Sequence, residues 1–259
     1  MTTENVTTSE PVKRFRFDWI TGVIFHPGRT FEQISGQTKS SWLLPILLLT
    51  LTTIARVVVA GRIKQTMMLN AGPTLPPNFE YYSPEQQAQF LQAAQATSGP
   101  VFVYVFPLIV ALVGIWIGWL LVGGLLHLVV TLMGGRGATG YSINLVAWAS
   151  IPFVILDIIR TIAMLATKQL IETQGLAGFA PAGSDGSLTY LASLLSLVNI
   201  FLIWHIILLI IGVRKGNGLA LGKASFAVII TIGLVVAVEA LISFLVGKLG
   251  GLTIVRPFF

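Results

Sequence analysis

Four charged side chains lie inside long apolar stretches of this sequence: Arg56, Asp157, Arg160 and Glu239. Ionisable groups within a membrane span are costly, and they usually face the interior of a helix bundle or a water-filled cavity. Asp157 and Arg160 are three residues apart, which makes them neighbours on one helix. The two positive and two negative charges sum to zero. The set predicts either an intramembrane polar network that holds helices together, which we favour, or a polar vestibule for a solute or ion.

Two histidines, His127 and His205, also lie in apolar stretches. An imidazole there could relay protons, bind a metal ion or form a hydrogen bond between helices. A structural zinc site needs four ligands, whereas the sequence has only one further histidine, His26, and no cysteine. We therefore expect no metal site, and we expect each histidine to form an interhelical hydrogen bond.

The sequence offers no catalytic set. Residues 135–140, GRGATG, match the dinucleotide-binding pattern G-x-G-x-x-G, but they follow an apolar stretch of membrane-helix length and not a strand of a βαβ unit. There is no zinc-protease motif, no nucleophile elbow and no pair of carboxylates in a soluble cleft. We therefore expect a protein that is not an enzyme and binds no cofactor.

The composition places the chain in a membrane. Of its 259 residues 54% are hydrophobic and 10% are charged, and the mean hydropathy is +0.84. A soluble domain carries about 25% charged residues, so this chain cannot cover itself with polar surface. The net charge of +6 is spread over chain ends and short loops and forms no nucleic-acid-binding motif. The expected partners are membrane lipids, other membrane proteins or a second copy, and not nucleic acid.

Apolar stretches long enough to cross a bilayer, roughly 20 residues each, occur five times. They predict an all-α, polytopic membrane protein. An N-terminal segment, 1–41, precedes a five-helix domain, 42–246, and a short tail, 247–259, follows it. In the loop after the first span, Ser83-Pro84-Glu85-Gln86 has the pattern of a helix cap and predicts a surface helix through about residue 96. The predicted spans are 42–60, 101–133, 142–167, 190–213 and 223–246.

Orientation follows from the Lys and Arg residues outside the spans. Nine lie on the side of the N-terminus and five on the other side. By the positive-inside rule the N-terminus is cytoplasmic and the C-terminus is external. Counted from the cytoplasmic end, the four charged residues all lie about 21 to 27 Å along their helices, in the outer third of the bilayer. The network would then join the first, third and fifth spans.

Two segments of the chain repeat one pattern. HLVVTLMGGRGATG, 127–140, and HIILLIIGVRKGNG, 205–218, both place His, Gly, Arg and Gly in the same register, where one span is expected to end and the next to begin. Each unit would be a hairpin of two spans with a tight corner on the cytoplasmic side. The pattern predicts one leading helix followed by two parallel-repeated helical hairpins, in which His127 and His205 are equivalent.

Basic residues at the cytoplasmic side are candidates for contact with lipid headgroups. In KRFRFDWITGVIF, 13–25, cations alternate with aromatic rings, as in segments that lie in the membrane interface. The loop cations after the second and fourth spans are placed to meet anionic headgroups. The candidate headgroup contacts are Arg14, Arg16, Trp19, Arg136, Arg214 and Lys215.

Several short motifs, taken in order along the chain, resemble those of the Yip-one domain family (Ypt-interacting proteins) in its bacterial form. They are FHPGRTFEQI at 25–34, WLLP at 42–45, GG at 134–135, GY at 140–141, AWASIP at 147–152 and GKAS at 222–225. The resemblance covers about residues 17 to 245 and implies five membrane helices and a cytoplasmic N-terminus.

Eukaryotic relatives in that family are linked to small GTPases of the Rab class, whereas the role of bacterial ones is largely undefined. This chain lacks the Asp-Leu-Tyr-Gly-Pro stretch of eukaryotic members, so the resemblance implies no small-GTPase partner here. We expect a multi-pass interaction or membrane-organising protein of the bacterial cytoplasmic membrane. The alternative is a small-solute or ion transporter, or a channel subunit, that uses the intramembrane histidines and charged residues.

Overall fold

The computed structural model describes residues 15–37, 40–71, 75–76, 78–171, 175–176 and 186–249. This part of the chain is helical and contains no β-strand. Besides the α-helices, it has a short 3₁₀-helix at Phe79–Tyr81 and a π-helix at Val101–Val105. The α-helices are α1 (Asp18–Phe25), α2 (Pro27–Ser35), α3 (Leu43–Ala71), α4 (Pro84–Ser98), α5 (Phe106–Leu132), α6 (Thr139–Ala149), α7 (Ile151–Thr167), α8 (Gly186–Leu197), α9 (Ile200–Asn217) and α10 (Leu221–Leu249).

Among the described residues, five helical segments are long and apolar enough to cross a membrane, which confirms the predicted all-α class and number of spans. The first span continues beyond the predicted end at residue 60, and the fourth runs later than the predicted 190–213. The observed segments are Leu43–Met68, Val101–Leu132, Thr139–Thr167, Ile200–Asn217 and Leu221–Leu245.

The third span is interrupted at Ser150, between α6 and α7. Pro152 has no backbone N–H and cannot continue the hydrogen-bond ladder through this turn. Phe153 N–H donates to Ser150 O, at 2.9 Å, and not to Ala149 O as a continuous α-helix requires. The carbonyl of Ala149 is therefore left for a partner outside its own helix.

A second interruption separates α8 from α9 at residues 198–199. Asn199 is extended, and its Oδ1 accepts hydrogen bonds from the N–H groups of Phe201 and Leu202, both at 3.0 Å. An asparagine in this position satisfies donors that the first helical turn cannot pair. The predicted fourth span therefore contains the end of one helix and the start of the next.

The two repeated sequence motifs adopt different structures. Gly134, with φ of 87°, follows the end of α5, but the aligned Gly212 lies buried inside α9, which continues to Asn217. The second corner falls at Gly218, with φ of 67°. Both corners thus use a glycine in the left-handed region, which favours this residue, but at unaligned positions. The interruption at Ser150 likewise has no counterpart in α10, which runs unbroken, so the duplication stays a prediction from sequence.

The helix α6 forms the centre of the core. Most of its residues are buried, among them Leu145, Ala147, Trp148 and Ala149. It packs between α5 and α9. A side chain at Gly212 would collide with that of Leu145, so α9 approaches α6 closely because position 212 has none. Large, closely packed side chains therefore fill the part of the bundle around α6.

The helices α1 and α2 pack on one end of the bundle, mainly against α9 and α6. We call this end the N-terminal face; it consists of residues 15–37, which include α1 and α2, and of the two corners at residues 133–138 and 214–223. Phe31 and Ile34 of α2 are buried in the same core cluster as α6. At the opposite end, α4 begins with the predicted capping box: Gln86 N–H donates to Ser83 Oγ, and Ser83 N–H donates to Gln86 Oε1.

Candidate functional site

A buried ion pair joins the first and third spans. Arg56 Nε lies 2.8 Å from Asp157 Oδ1, and the two side chains are 12% and 9% exposed. Thr53, one turn before Arg56 on α3, donates from Oγ1 to Asp157 Oδ2 at 2.6 Å. Both carboxylate oxygens therefore have partners from α3. A buried charge persists when it is paired and hydrogen-bonded in this way, so α3 and α7 are held in one register.

Arg160 belongs to the same cluster. It lies one turn from Asp157 along α7 and interacts electrostatically with both Asp157 and Arg56. The attraction to the carboxylate and the repulsion from the second guanidinium oppose each other. Thr161 Oγ1 donates to Asp157 O at 2.7 Å. The cluster of Arg56, Asp157 and Arg160 thus carries one net positive charge and not the zero expected from the sequence.

Glu239 does not join this cluster, so the prediction of a four-residue network is wrong as far as Glu239 is concerned. Its side chain is exposed on α10. The helix α10 packs against α5, α8 and α9, whereas the ion pair lies between α3 and α7. Within the described residues no ion pair to Glu239 occurs. The similar depth expected for the four residues does not specify which helices are neighbours.

His205 bridges two spans at the interruption after α6. The ring is buried, with 4% of the residue exposed, and Nδ1 lies 2.7 Å from Ala149 O. Because a carbonyl oxygen only accepts, Nδ1 must carry the proton in this contact. The ring also packs against Phe153, with 5.0 Å between ring centres. His205 thus satisfies the carbonyl that Pro152 and Ser150 leave free, which is the interhelical hydrogen bond expected for it.

His127 has a different environment from His205. It is half-buried on α5, and its Nδ1 is buried without a hydrogen-bond partner. The expected interhelical bond is therefore not formed by this atom. No group of three or more His, Cys, Asp or Glu side chains suited to a metal ion occurs among the described residues. The two histidines share a sequence register but not a structural role.

Trp19 is a core residue, and the expectation that it contacts lipid headgroups is wrong. Only 2% of the residue is exposed. Its indole N–H donates to Gln33 Oε1 at 3.1 Å, and its ring meets Trp148 edge to face with 5.4 Å between centres. Trp19 is buried because α1 packs against the helix bundle. Phe17 and Phe25, which are 64% and 72% exposed, form the apolar outer surface of this segment instead.

Arg16 lies above this tryptophan. Its guanidinium stands 4.5 Å from the centre of the Trp19 ring and forms hydrogen bonds with both carboxylate oxygens of Asp18, the shortest of 2.8 Å. The hydrogen bonds that Arg16 donates to the Asp18 carboxylate raise the pKa of Arg16 above its ordinary value. Arg16 therefore binds Asp18 and stacks on Trp19. The net charge of Arg16 and Asp18 together is near zero.

The other candidate headgroup contacts lie on the N-terminal face. Arg136 and Arg214 are exposed, and Lys215 is exposed with Nζ 3.3 Å from Glu32 Oε2. Arg136 N–H donates to Asn217 O at 3.2 Å, which fixes the first corner on the end of α9. Arg14 lies outside the described residues. The face brings together cations that are far apart in the sequence.

Several polar residues at these sites gave no clear signal in the sequence. Thr53 could have been found, because it lies three residues before Arg56 and so shares its helix face. Ser41 and Asn144 are linked from Ser41 N–H to Asn144 Oδ1 at 3.0 Å, and the Trp148 indole donates to Ser41 Oγ at 3.1 Å. These partners are more than 100 residues apart, and no local pattern predicts such pairing.

The chain matches the family model of the Yip1 domain over residues 21–245. No curated protein and no solved structure shows significant similarity to the chain.

Proposed function

The chain belongs to the Yip1 domain family, and on that premise we propose that it is a non-enzymatic membrane-organising protein that gathers anionic lipid, and membrane proteins or a second copy, at its N-terminal face. The proposal places it with the bacterial form of the family, because it lacks the Asp-Leu-Tyr-Gly-Pro stretch of eukaryotic members. No small GTPase is proposed as a partner. The membrane is the cell membrane, with the N-terminal face on the cytoplasmic side.

The observation that carries the proposal is the charge of the N-terminal face. Its described residues include six cations and two carboxylates. Anionic lipids of a cytoplasmic leaflet attract such groups by about 1 kcal/mol per Lys or Arg near the surface. The exposed rings of Phe17 and Phe25 lie beside these charges, as expected at headgroup level. The cations are Arg16, Arg29, Arg136, Arg214, Lys215 and Lys223.

The polar residues inside the spans support structural roles and not transport. The carboxylate of Asp157 forms an ion pair with Arg56 through one oxygen and accepts a hydrogen bond from Thr53 with the other. His205 is bonded to a backbone carbonyl, and buried apolar residues, Ile151 and Val154, lie on α7 between that level and Asp157. Glu239 lies apart from both groups. We therefore do not propose the transporter alternative.

Lipid analysis of the purified protein tests the proposed function. The full chain is extracted from membranes that contain phosphatidylglycerol, and its bound lipids are compared with the bulk. We expect anionic lipid to be enriched, and the enrichment to fall in the double variant Arg136→Gln/Arg214→Gln. The matched control, Arg62→Gln/Lys168→Gln, removes two exposed cations elsewhere and should keep it. Equal loss in both variants, or no enrichment in the parent, would refute the proposal.

Orientation needs its own test. A reporter fused after Phe259 should be active only outside the cytoplasm, because five spans place the two ends on opposite sides. Cytoplasmic activity of that fusion would place the basic face outside and remove the attraction to the cytoplasmic leaflet. Reconstituted vesicles should also show no ion or proton flux above that of vesicles without protein, and a clear flux would favour the transporter alternative.

A further inference from the structure

An open cleft of about 390 Å³ lies between helices α1 and α2 on the N-terminal face. Its lining combines a polar wall, which includes His26, Arg29 and Gln33, with the exposed ring of Phe25. The volume lies within the range of about 300 to 1,000 Å³ that is common for small-molecule sites. The cleft is thus amphipathic and large enough for a small polar group with an apolar attachment.

The charge inside the cleft is positive. Arg29 is exposed, and within the described residues its guanidinium forms no ion pair. Asp18 also lines the cleft, but Arg16 holds both of its carboxylate oxygens. Gln33 accepts the Trp19 indole proton with Oε1, which leaves its NH₂ group as a donor. An anion in the cleft would therefore meet an arginine and further donors, with the one carboxylate already neutralised.

The position of the cleft selects the kind of anion. Phe25 lines it and is 72% exposed, and Phe17 at the other end of α1 is 64% exposed. Aromatic rings exposed at the end of a membrane bundle lie at the level of the lipid headgroups. A ligand that reaches this cleft from the bilayer would present a phosphate to Arg29 and its glycerol and first acyl carbons to Phe25.

We propose that the cleft between α1 and α2 binds the phosphate-bearing headgroup of one anionic phospholipid, with Arg29 pairing the phosphate, His26 and Gln33 donating to its oxygens, and Phe25 contacting the glycerol end. Arginine suits this role because its planar fork of donors matches phosphate oxygens in pairs. The inference rests on the proposed function, since it names one specific lipid site within the basic face.

The test is a titration of the purified full chain with a soluble short-chain phosphatidylglycerol, followed by native mass spectrometry. Arg29→Gln should weaken binding by about 10- to 100-fold, since one charge-assisted hydrogen-bonding partner is lost. Arg62→Gln, which removes an exposed arginine from α3, is the matched control and should bind like the parent. Unchanged affinity in Arg29→Gln, or an equal loss in both variants, would overturn the proposal.

A second variant separates a lipid headgroup from free phosphate. Phe25→Ser should weaken lipid binding and leave binding of inorganic phosphate as it is, whereas Arg29→Gln should weaken both. If inorganic phosphate binds the parent as tightly as the lipid, and Phe25→Ser alters neither, the lipid assignment is wrong. Because Arg29 and Phe25 are exposed, both variants should melt like the parent, which a thermal scan checks.

Failure of this inference differs from failure of the proposed function. If general enrichment of anionic lipid persists but does not depend on Arg29, only the cleft is excluded as the site. If binding depends on Arg29 but the Arg136→Gln/Arg214→Gln variant keeps full enrichment, the cleft stands and the broad basic face does not gather lipid.

Discussion

Removing Asp157 and Arg56 together should destabilise the protein by less than the sum of the two single removals. Asp157→Asn keeps the size of the side chain but leaves the Arg56 guanidinium without its counter-charge, 2.8 Å away and 12% exposed. Breaking a buried pair by removing one partner costs about 3 to 5 kcal/mol. Insertion scales give about 2.5 to 3.5 kcal/mol for an arginine or aspartate at the centre of a span, which is of the same size.

The double variant Arg56→Gln/Asp157→Asn replaces two charges by two amides that can still form hydrogen bonds. Its loss of stability should be smaller than the sum of the two single losses by about 0.5 to 3 kcal/mol, the range found for residues in direct contact. Thr53→Val should cost about 1.5 to 3 kcal/mol, because it removes a 2.6 Å hydrogen bond to the carboxylate.

The assay is unfolding of the detergent-solubilised full chain in a denaturant titration followed by tryptophan fluorescence. Glu239→Gln is the matched control, because it removes a carboxylate from an exposed position on α10. Its effect should stay within about 0.5 kcal/mol and add to that of Asp157→Asn without coupling. Purely additive effects of Arg56→Gln and Asp157→Asn would refute the ion pair, and strong coupling between Glu239 and Asp157 would refute their separation.

Four further predictions concern the packing of the helices. His205→Leu should cost about 0.6 to 2 kcal/mol by the same unfolding assay, because it removes the bond to Ala149 O, and His205→Gln should recover part of the loss. Gly216→Ala should cost about 1 to 3 kcal/mol, since a methyl group there collides with the ring of Tyr141. Trp19→Ala should cost about 3 to 5 kcal/mol, as for other buried aromatic side chains. Ser83→Ala should destabilise α4 by about 1 kcal/mol and speed its amide hydrogen exchange.

Each of these predictions has an outcome that contradicts it. If His205→Gln is no more stable than His205→Leu, the hydrogen bond to Ala149 O contributes nothing to stability. A neutral Gly216→Ala would mean that α6 and α9 lie farther apart than the structure shows. If Trp19→Ala does not change the stability, the Trp19 ring is not part of the packed core, and its contact with the lipid interface is favoured again. Unchanged exchange across α4 after Ser83→Ala would mean that the cap does not hold the helix.

The local properties of this protein could be read from its sequence. The number of spans follows from the length of apolar runs, because each crossing needs a fixed rise of 1.5 Å per residue. The capping box of α4 involves residues three positions apart, so the spacing of Ser83 and Gln86 in the sequence is enough to predict it. The glycines at the two corners follow from backbone angles that other residues rarely adopt.

Only the tertiary structure decided which side chains meet. Arg56, Asp157 and Glu239 are expected at similar depths from the sequence, and their charges alone allow several pairings, but the packing of α3 on α7 selects one of them. Trp19 lies in a segment whose composition is typical of the membrane interface. It is nevertheless buried, because α1 packs against α6 and α7. The periodicity of a helix fixes which residues share a face, whereas the neighbour of that face is set by contacts across the whole chain.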